Sequence, residues 1–182
     1  MQIVQFHARV FAGKLFGFYS VVIGQIVVSA GEANEVILEL NGVTISNSED
    51  SPIKVLSADK VEISAKSGTE NIINDTRSAK TVDNGAVGEG AINAKADLKL
   101  KGSGTLVVNA GYNNGVHTSK DLTIQKLSLK VTAYNNALKG SDSIAIKSGT
   151  VGQQIRQDAR RRYRNGRQHR GLCRGRRHTG GA

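Results

Sequence analysis

A repeat of 22 to 25 residues constrains this chain more than any other feature of its sequence. Leu98, Leu122 and Ile144 each begin a short run of alternating apolar and polar residues, and they stand 24 and 22 positions apart. Upstream, Val36 and Val61 begin similar runs 25 positions apart. A fixed period of this size is typical of solenoids, in which each repeat buries its apolar face against its neighbours.

The content of each repeat predicts β-strands. Short runs of Val, Ile and Leu with period two are broken by Gly, Asn and Asp, and residues 24–150 show no helical stripe. This pattern favours an all-β, parallel β-helix with about five coils, while an antiparallel sandwich or barrel is the alternative. The interval from Val61 to Leu98 is 37 residues, so it holds an insertion of roughly 13 residues, between Asn74 and Gly90, which we expect in a loop on one face.

The net charge of +10 is concentrated at the C-terminus. Residues 151–182 hold ten Arg and one Asp, whereas residues 1–150 hold 15 cationic side chains against 14 carboxylates. The body of the chain is therefore nearly neutral. The single cysteine, Cys173, excludes an internal disulfide and a zinc site built from several cysteines.

Both ends of the chain differ in composition from the repeats, which occupy residues 24–151. Residues 1–23 hold all four phenylalanines and are predicted to be an aberrant or weakly structured segment, with a signal peptide as the alternative. Residues 152–182 contain no lysine and do not continue the repeat, and three interpretations of them stay open. They are a disordered Arg-rich tail, an arm that binds nucleic acid through phosphate contacts, and an out-of-frame translation.

The segments of the body follow one another in a specific order. They are Gln25 to Gly31, Val36 to Ile45, Pro52 to Val55, Ser57 to Val61, Gly68 to Asn71, Lys95 to Leu100, Gly104 to Leu106 and Ser119 to Ile124. Their order resembles the bacterial carbohydrate-binding domain family of the pectate-lyase-like β-helix class. The resemblance covers about residues 24–151 and implies a right-handed β-helix, outside the cell or at its surface. It further implies binding of acidic, pectin-like polysaccharide, associated calcium and no established catalysis.

Lysines and tyrosines of the later coils are the candidate glycan contacts. Lysines on one face of stacked strands can pair with the carboxylates of a uronate polymer, and two tyrosines 22 positions apart can offer rings to sugars. A turn-capping role for the tyrosines and a solvated surface for the lysines are the alternatives. The predicted carbohydrate-binding residues are Lys95, Lys99, Lys120, Lys130, Tyr112 and Tyr134.

The calcium that the resemblance implies has three candidate ligands, one per coil, in Asp97, Asp121 and Asp142. Each lies near a lysine in the sequence, so a solvated charge ladder is the alternative. The turns Asn114-Gly115 and Asn136-Ala137 stand where the family tends to have Asp-Gly, which weakens any calcium site at those turns.

The supply of reactive residues argues against catalysis. A polysaccharide lyase of the resembling kind uses a basic Arg or Lys beside clustered carboxylates, yet Arg77 is the only arginine of the coils and lies in the insertion. We therefore predict a non-catalytic protein that binds acidic polysaccharide and has no membrane span. The alternatives are a structural or adhesin-type solenoid without glycan binding, and a nucleic-acid binder that acts through the tail.

Overall fold

The computed structural model of the protein describes residues 5–10, 13–16, 21–78 and 88–156, and these ranges contain β-strands and no helix. The seventeen strands are β1 (Gln5–Val10), β2 (Gly13–Phe16), β3 (Val21–Ser29), β4 (Glu35–Leu40), β5 (Thr44–Asn47), β6 (Ile53–Ser57), β7 (Lys60–Ala65), β8 (Glu70–Asp75), β9 (Gly90–Ala94), β10 (Asp97–Gly102), β11 (Thr105–Ala110), β12 (Asn114–Thr118), β13 (Leu122–Gln125), β14 (Leu127–Ala133), β15 (Leu138–Gly140), β16 (Ile144–Ile146) and β17 (Gly149–Ile155).

The strands form three faces of a solenoid, and every strand pairs in parallel with the equivalent strand of the next coil. Face 1 contains β6, β9, β12 and β15, face 2 contains β2, β4, β7, β10, β13 and β16, and face 3 contains β5, β8, β11, β14 and β17. Strand β3 joins two faces, because its first half pairs with β5 and its second half with β6. Starting from that second half, the chain passes through faces 1, 2 and 3 five times, which gives coils 1 to 5.

The apolar anchors of the sequence form one continuous row inside face 2. Val36 pairs with Val61, Val61 with Leu98, Leu98 with Leu122 and Leu122 with Ile144, all in register. The prediction of an all-β parallel solenoid with about five coils is thereby confirmed. The first four members of the row are at most 1% exposed, whereas Ile144 on coil 5 is 44% exposed because it ends the row.

Asn71 is a polar residue at an interior position on face 3, where the next coil has Leu106. Its side chain is fully buried, and its Oδ1 accepts hydrogen bonds from the backbone N–H groups of Gly42 (2.9 Å) and Val43 (3.1 Å). Its Nδ2 donates to the Thr105 carbonyl at 3.3 Å. Asn71 therefore ties the corner of coil 1 to coils 2 and 3, and its burial carries little penalty because its polar atoms are paired.

The strands extend past both predicted ends of the repeat body. Strands β1 and β2 pair with β3 and β4, and β3 itself crosses residue 24. At the other end, β17 continues to Ile155 because pairing with β14 uses backbone groups and needs no β-branched side chain at residues 152–154. Val151 and Ile155 also pack against the core.

Some predictions fall on residues outside the described ranges. The interpretations of the Arg-rich tail concern residues 157–182 in particular, and most of the predicted insertion falls in residues 79–87. In the part of the chain that is described, no helix is long and apolar enough to cross a membrane.

Truncation of the buried row tests the stacking directly. Leu98→Ala removes a fully buried side chain between Val61 and Leu122, so we expect it to lower the free energy of unfolding by about 2–5 kcal/mol in urea titrations. Thr123→Ala, at a partly exposed position of the next strand, is the matched control and should cost less than about 1 kcal/mol. Equal losses in the two variants would contradict the inward position of the row.

Candidate functional site

A buried ion pair holds the two ends of the insertion together. Arg77 is 2% exposed and contacts Asp75 through two hydrogen bonds, Nε to Oδ1 at 2.8 Å and Nη2 to Oδ2 at 2.7 Å. Its Nη1 donates to the carbonyl of Gly88, on the far side of the insertion, at 3.0 Å. The ring of Tyr112 lies 4.8 Å from the guanidinium carbon, within the range of a cation–π contact. Arg77 therefore serves as a structural clamp.

Asp50 extends this network onto face 1. It accepts hydrogen bonds from the Lys54 ammonium at 2.6 Å and from the Gly88 backbone N–H at 2.7 Å, and it lies 3.5 Å from Arg77. Burial acts to raise the pKa of Asp50, but these hydrogen bonds outweigh it and lower the pKa below 3.8. The carboxylate is thus ionised at neutral pH and fixes the start of coil 3.

A second polar cluster on face 1 links coils 3, 4 and 5. His117 Nδ1 lies 2.7 Å from Asn93 Oδ1, and its Nε2 lies 3.7 Å from the Glu89 carboxylate. Lys139 donates to the same carboxylate at 2.9 Å, and this hydrogen bond lowers the pKa of Glu89. Burial lowers the pKa of His117 below 6.5, and Glu89 only partly opposes that effect. His117 is therefore mainly neutral at neutral pH.

A cleft of about 370 Å³ lies where face 3 turns towards face 1. Along its length Asn109 Nδ2 donates to Asn74 Oδ1 at 2.9 Å, and Asn74 Nδ2 donates to Ser46 Oγ at 3.3 Å. These amides form a ladder across coils 1, 2 and 3. The lining residues are Asn74, Asp75, Thr76, Arg77, Ser78, Asn109, Gly111, Tyr134 and Arg156.

The backbone of Gly111 packs closely against the backbone of Asp75 and Arg77 at the floor of this cleft. A Cβ placed there would lie 2.5 Å from the Arg77 carbonyl oxygen and 2.9 Å from that of Asp75. Such distances are well inside van der Waals contact, so a side chain at this position would push the ends of β8 and β11 apart.

The four predicted lysines do not lie on one face. Lys99 belongs to face 2, where it is 3.4 Å from Glu62, and Lys130 is exposed on face 3. Lys95 and Lys120 are exposed at the edge between faces 1 and 2. Sequence alternation separates inward from outward positions, but it does not say which of three faces an outward residue belongs to.

Face 2 is largely charge-compensated. Lys60 lies 3.0 Å from Glu35, and Lys101 joins Lys99 in contacting Glu62. Burial acts to raise the pKa of Glu62, but the two lysines outweigh it and lower the pKa. The exposed pair of Lys60 and Glu35 contributes at most about 1 kcal/mol. These ion pairs leave face 2 with little net charge to offer a ligand.

The two predicted tyrosines have different surroundings. Tyr112 packs against the guanidinium of Arg77, whereas Tyr134 lines the cleft. The asparagines that follow them form structural ladders: Asn135 Nδ2 donates to Asn113 Oδ1 at 3.2 Å, and the next pair is bonded in the same way. The asparagines thus tie the turn that leads into coil 5 to the turn that leads into coil 4. Both tyrosines are half-buried, and Tyr134 is the one that lines the cleft.

The three predicted calcium ligands are only partly brought together. Asp97 and Asp121 occupy equivalent positions on adjacent coils, and Asp97 Oδ1 accepts the backbone N–H of Asp121 at 3.3 Å. Asp142 lies one position out of this row, which Ser143 occupies on coil 5. Within residues 21–78 and 88–156 no group of three or more His, Cys, Asp or Glu side chains is gathered around one point. The carboxylates present do not fit a three-carboxylate calcium site.

Charge is divided unevenly along the solenoid axis. Residues 21–78, which form coils 1 and 2, hold nine carboxylates and four cationic side chains. Residues 88–156, which form coils 3 to 5, hold four carboxylates and nine cationic side chains. The excess of lysines in the later repeats is visible in the sequence, and the strand pairing shows that these repeats stack at one end of the solenoid.

Comparison with known proteins gives consistent results. The model of a family of carbohydrate-binding domain-containing proteins matches residues 14–173. A carbohydrate-binding domain-containing protein of Acetivibrio thermocellus is 38% identical over 111 residues, which are 60% of this chain and 39% of that protein. A solved polysaccharide lyase-like protein from C. thermocellum, a gadolinium derivative, has a TM-score of 0.69 at 29% identity, covering 86% of this chain and 66% of that chain. The chain thus spans well under half of the curated relative.

Breaking the buried ion pair is expected to destabilise the protein strongly. Arg77→Met leaves the Asp75 carboxylate buried without its partner, so the free energy of unfolding should fall by about 3–5 kcal/mol. Lys95→Met, at an exposed site, removes the same charge and should change stability by less than about 0.5 kcal/mol. Urea unfolding followed by circular dichroism measures both, and a small effect of Arg77→Met would contradict the clamp.

Acidification should also destabilise the fold through His117. Because its pKa in the folded protein is below 6.5, the unfolded chain takes up a proton first, and stability falls as pH decreases through and below 6.5. We expect Tm to drop between about pH 7.5 and about pH 5.5, before the carboxylates titrate. His117→Gln should show a smaller drop over this range. An identical drop in both proteins would contradict the assignment.

Proposed function

Because the chain belongs to the family of carbohydrate-binding domain-containing proteins, we propose that its coils 3 to 5 bind an acidic, pectin-like polysaccharide and do not cleave it. The observation that carries the acidic specificity is the division of charge along the axis. An anionic polymer is attracted to the coils with nine cations and four carboxylates and repelled by the coils with the opposite balance.

The cations that supply this attraction are exposed. Lys126, Lys130 and Lys147 lie on face 3 or at its edge with face 2, on coils 4 and 5, and we call them the cationic edge. Among the described residues, none of the three forms an ion pair with a carboxylate. Lys95 and Lys120 are exposed in the same way at the opposite edge of face 2. The later coils therefore present cations on two sides.

In this proposal the affinity comes from the number of lysine–carboxylate contacts made at once. One exposed lysine paired with one carboxylate contributes at most about 1 kcal/mol, so a single sugar binds weakly. A polymer with one carboxylate per sugar engages several lysines at once, and each further contact benefits from a high effective concentration. Because such contacts are screened beyond about 10 Å at 0.1 M salt, binding should weaken as salt is added.

The absence of cleavage is supported in this proposal by the burial of Arg77 and by the carboxylates, which among the described residues are not gathered in groups of three or more beside an exposed base. A lyase needs a basic group next to the sugar carbon that loses its proton. Arg77 is 2% exposed and holds Asp75 through two hydrogen bonds, so it is not available as such a base. We also propose an extracellular or cell-surface location, where a polymer of this kind is met. Calcium binding stays a prediction and no contact above depends on it.

Affinity electrophoresis is the direct test. The protein should be retarded in gels that contain polygalacturonate and should migrate normally in gels with neutral glucan or without polysaccharide. Retardation should decrease in Lys130→Gln/Lys147→Gln, which removes two charges of the cationic edge. The matched control is Lys60→Gln/Lys66→Gln, which removes two charges from coil 2 and should keep most of the retardation.

The outcomes separate the alternatives. Equal mobility in all gels would contradict glycan binding and favour a purely structural solenoid. Equal retardation of the two double variants would show that net charge alone, and not the later coils, attracts the polymer. Release of unsaturated uronides, measured by their absorbance, would contradict the proposal that the protein does not cleave the polymer.

A further inference from the structure

The cleft at the end of face 3 is separate from the cationic edge. Strands of face 3 run from the edge with face 2 to the corner with face 1. Lys126 and Lys147 lie at the first of these ends, Lys130 lies in the middle of β14, and the cleft lies at the far end. The cleft extends along the axis from Thr76 on coil 2 to Arg156 on coil 5. Its volume of about 370 Å³ falls within the range of small-ligand sites.

The charge of the cleft comes from one residue. Arg77 and Asp75 neutralise each other through their two hydrogen bonds and are nearly inaccessible. Arg156 is exposed, and among the described residues it has no carboxylate partner. The cleft therefore has one accessible guanidinium, that of Arg156. A guanidinium is well suited to bind a carboxylate through two parallel hydrogen bonds.

The remaining lining residues suit a sugar ring. Asn109 Nδ2 donates a hydrogen bond to Asn74 Oδ1. The Oδ1 of Asn109 accepts no hydrogen bond from the described residues, so it is available to a ligand. Amide oxygens and N–H groups of this kind pair with adjacent hydroxyls. Tyr134 is half-buried and supplies an aromatic ring with a polar tip, which can pack against the apolar side of a pyranose.

We propose that this cleft is a subsite for one carboxylate-bearing pyranose residue of the bound polymer. The carboxylate pairs with Arg156, the ring packs on Tyr134, and the hydroxyls bond to the amides of Asn74 and Asn109. The subsite rests on the proposed binding of acidic polysaccharide and adds recognition of a single sugar to the general attraction of the later coils. The buried clamp of Asp75 and Arg77 keeps its floor rigid.

Titration with digalacturonate tests the subsite on the full chain. Backbone amide signals in NMR spectra should shift at Gly111, Tyr134 and Arg156, and the uncharged galactobiose should bind more weakly. Arg156→Gln should weaken digalacturonate binding about five- to tenfold and leave galactobiose unaffected. Tyr134→Leu should weaken both sugars, because it removes the ring that they share. Lys66→Gln, an exposed cation on coil 2, is the control and should change neither.

The results distinguish this subsite from the proposed function. Polygalacturonate retards the protein if polymer binding is correct. If the NMR signals of the cleft residues then do not shift with digalacturonate, or if Arg156→Gln binds digalacturonate with wild-type affinity, the subsite is overturned and polymer binding is left intact. Cleft signals that shift with digalacturonate in a protein that polygalacturonate does not retard would support the subsite and contradict polymer binding. Near-wild-type circular dichroism of each variant establishes that the fold is retained.

Discussion

Parallel, in-register stacking of each coil on the next is the constraint on which the rest of this structure depends. Because equivalent residues lie about 4.8 Å apart on successive coils, a residue type that recurs once per repeat becomes a row. Inside, the row through Val61, Leu98 and Leu122 excludes water. A polar residue in such a row must have its own partners, as Asn71 has. Outside, the same rule aligns the amides that line the cleft.

The sequence predicted the inward rows well, since apolar anchors recur at nearly constant spacing, and the family resemblance agreed with them. It could not assign lysines to faces: Lys99 and Lys130 both occupy outward positions, yet a corner lies between them. Asn74 and Asn109 are 35 positions apart because of the insertion, so the period does not reveal their contact. Arg156 was counted with the tail, because residues 152–154 lack the β-branched side chains that usually indicate a strand.

The division of charge makes the two ends of the solenoid electrostatically different. Coils 1 and 2 carry the excess of carboxylates, and on face 2 Glu62 pairs with Lys99, one of the four lysines predicted to contact the glycan. Coils 3 to 5 present a set of exposed cations, and the polar cleft lies at the far end of the face 3 strands. In this proposal the cations supply the long-range attraction and the cleft supplies the local recognition.

Hydrogen exchange of backbone amides with and without polygalacturonate tests this account most directly. The account predicts slower exchange at residues 126–134 and 147–156 on polymer binding, where the cationic edge and the cleft lie and where β17 is an accessible edge strand. Residues 21–70, which lie away from the cleft, should exchange at an unchanged rate. Protection centred on residues 21–70, or spread evenly over all coils, would contradict it.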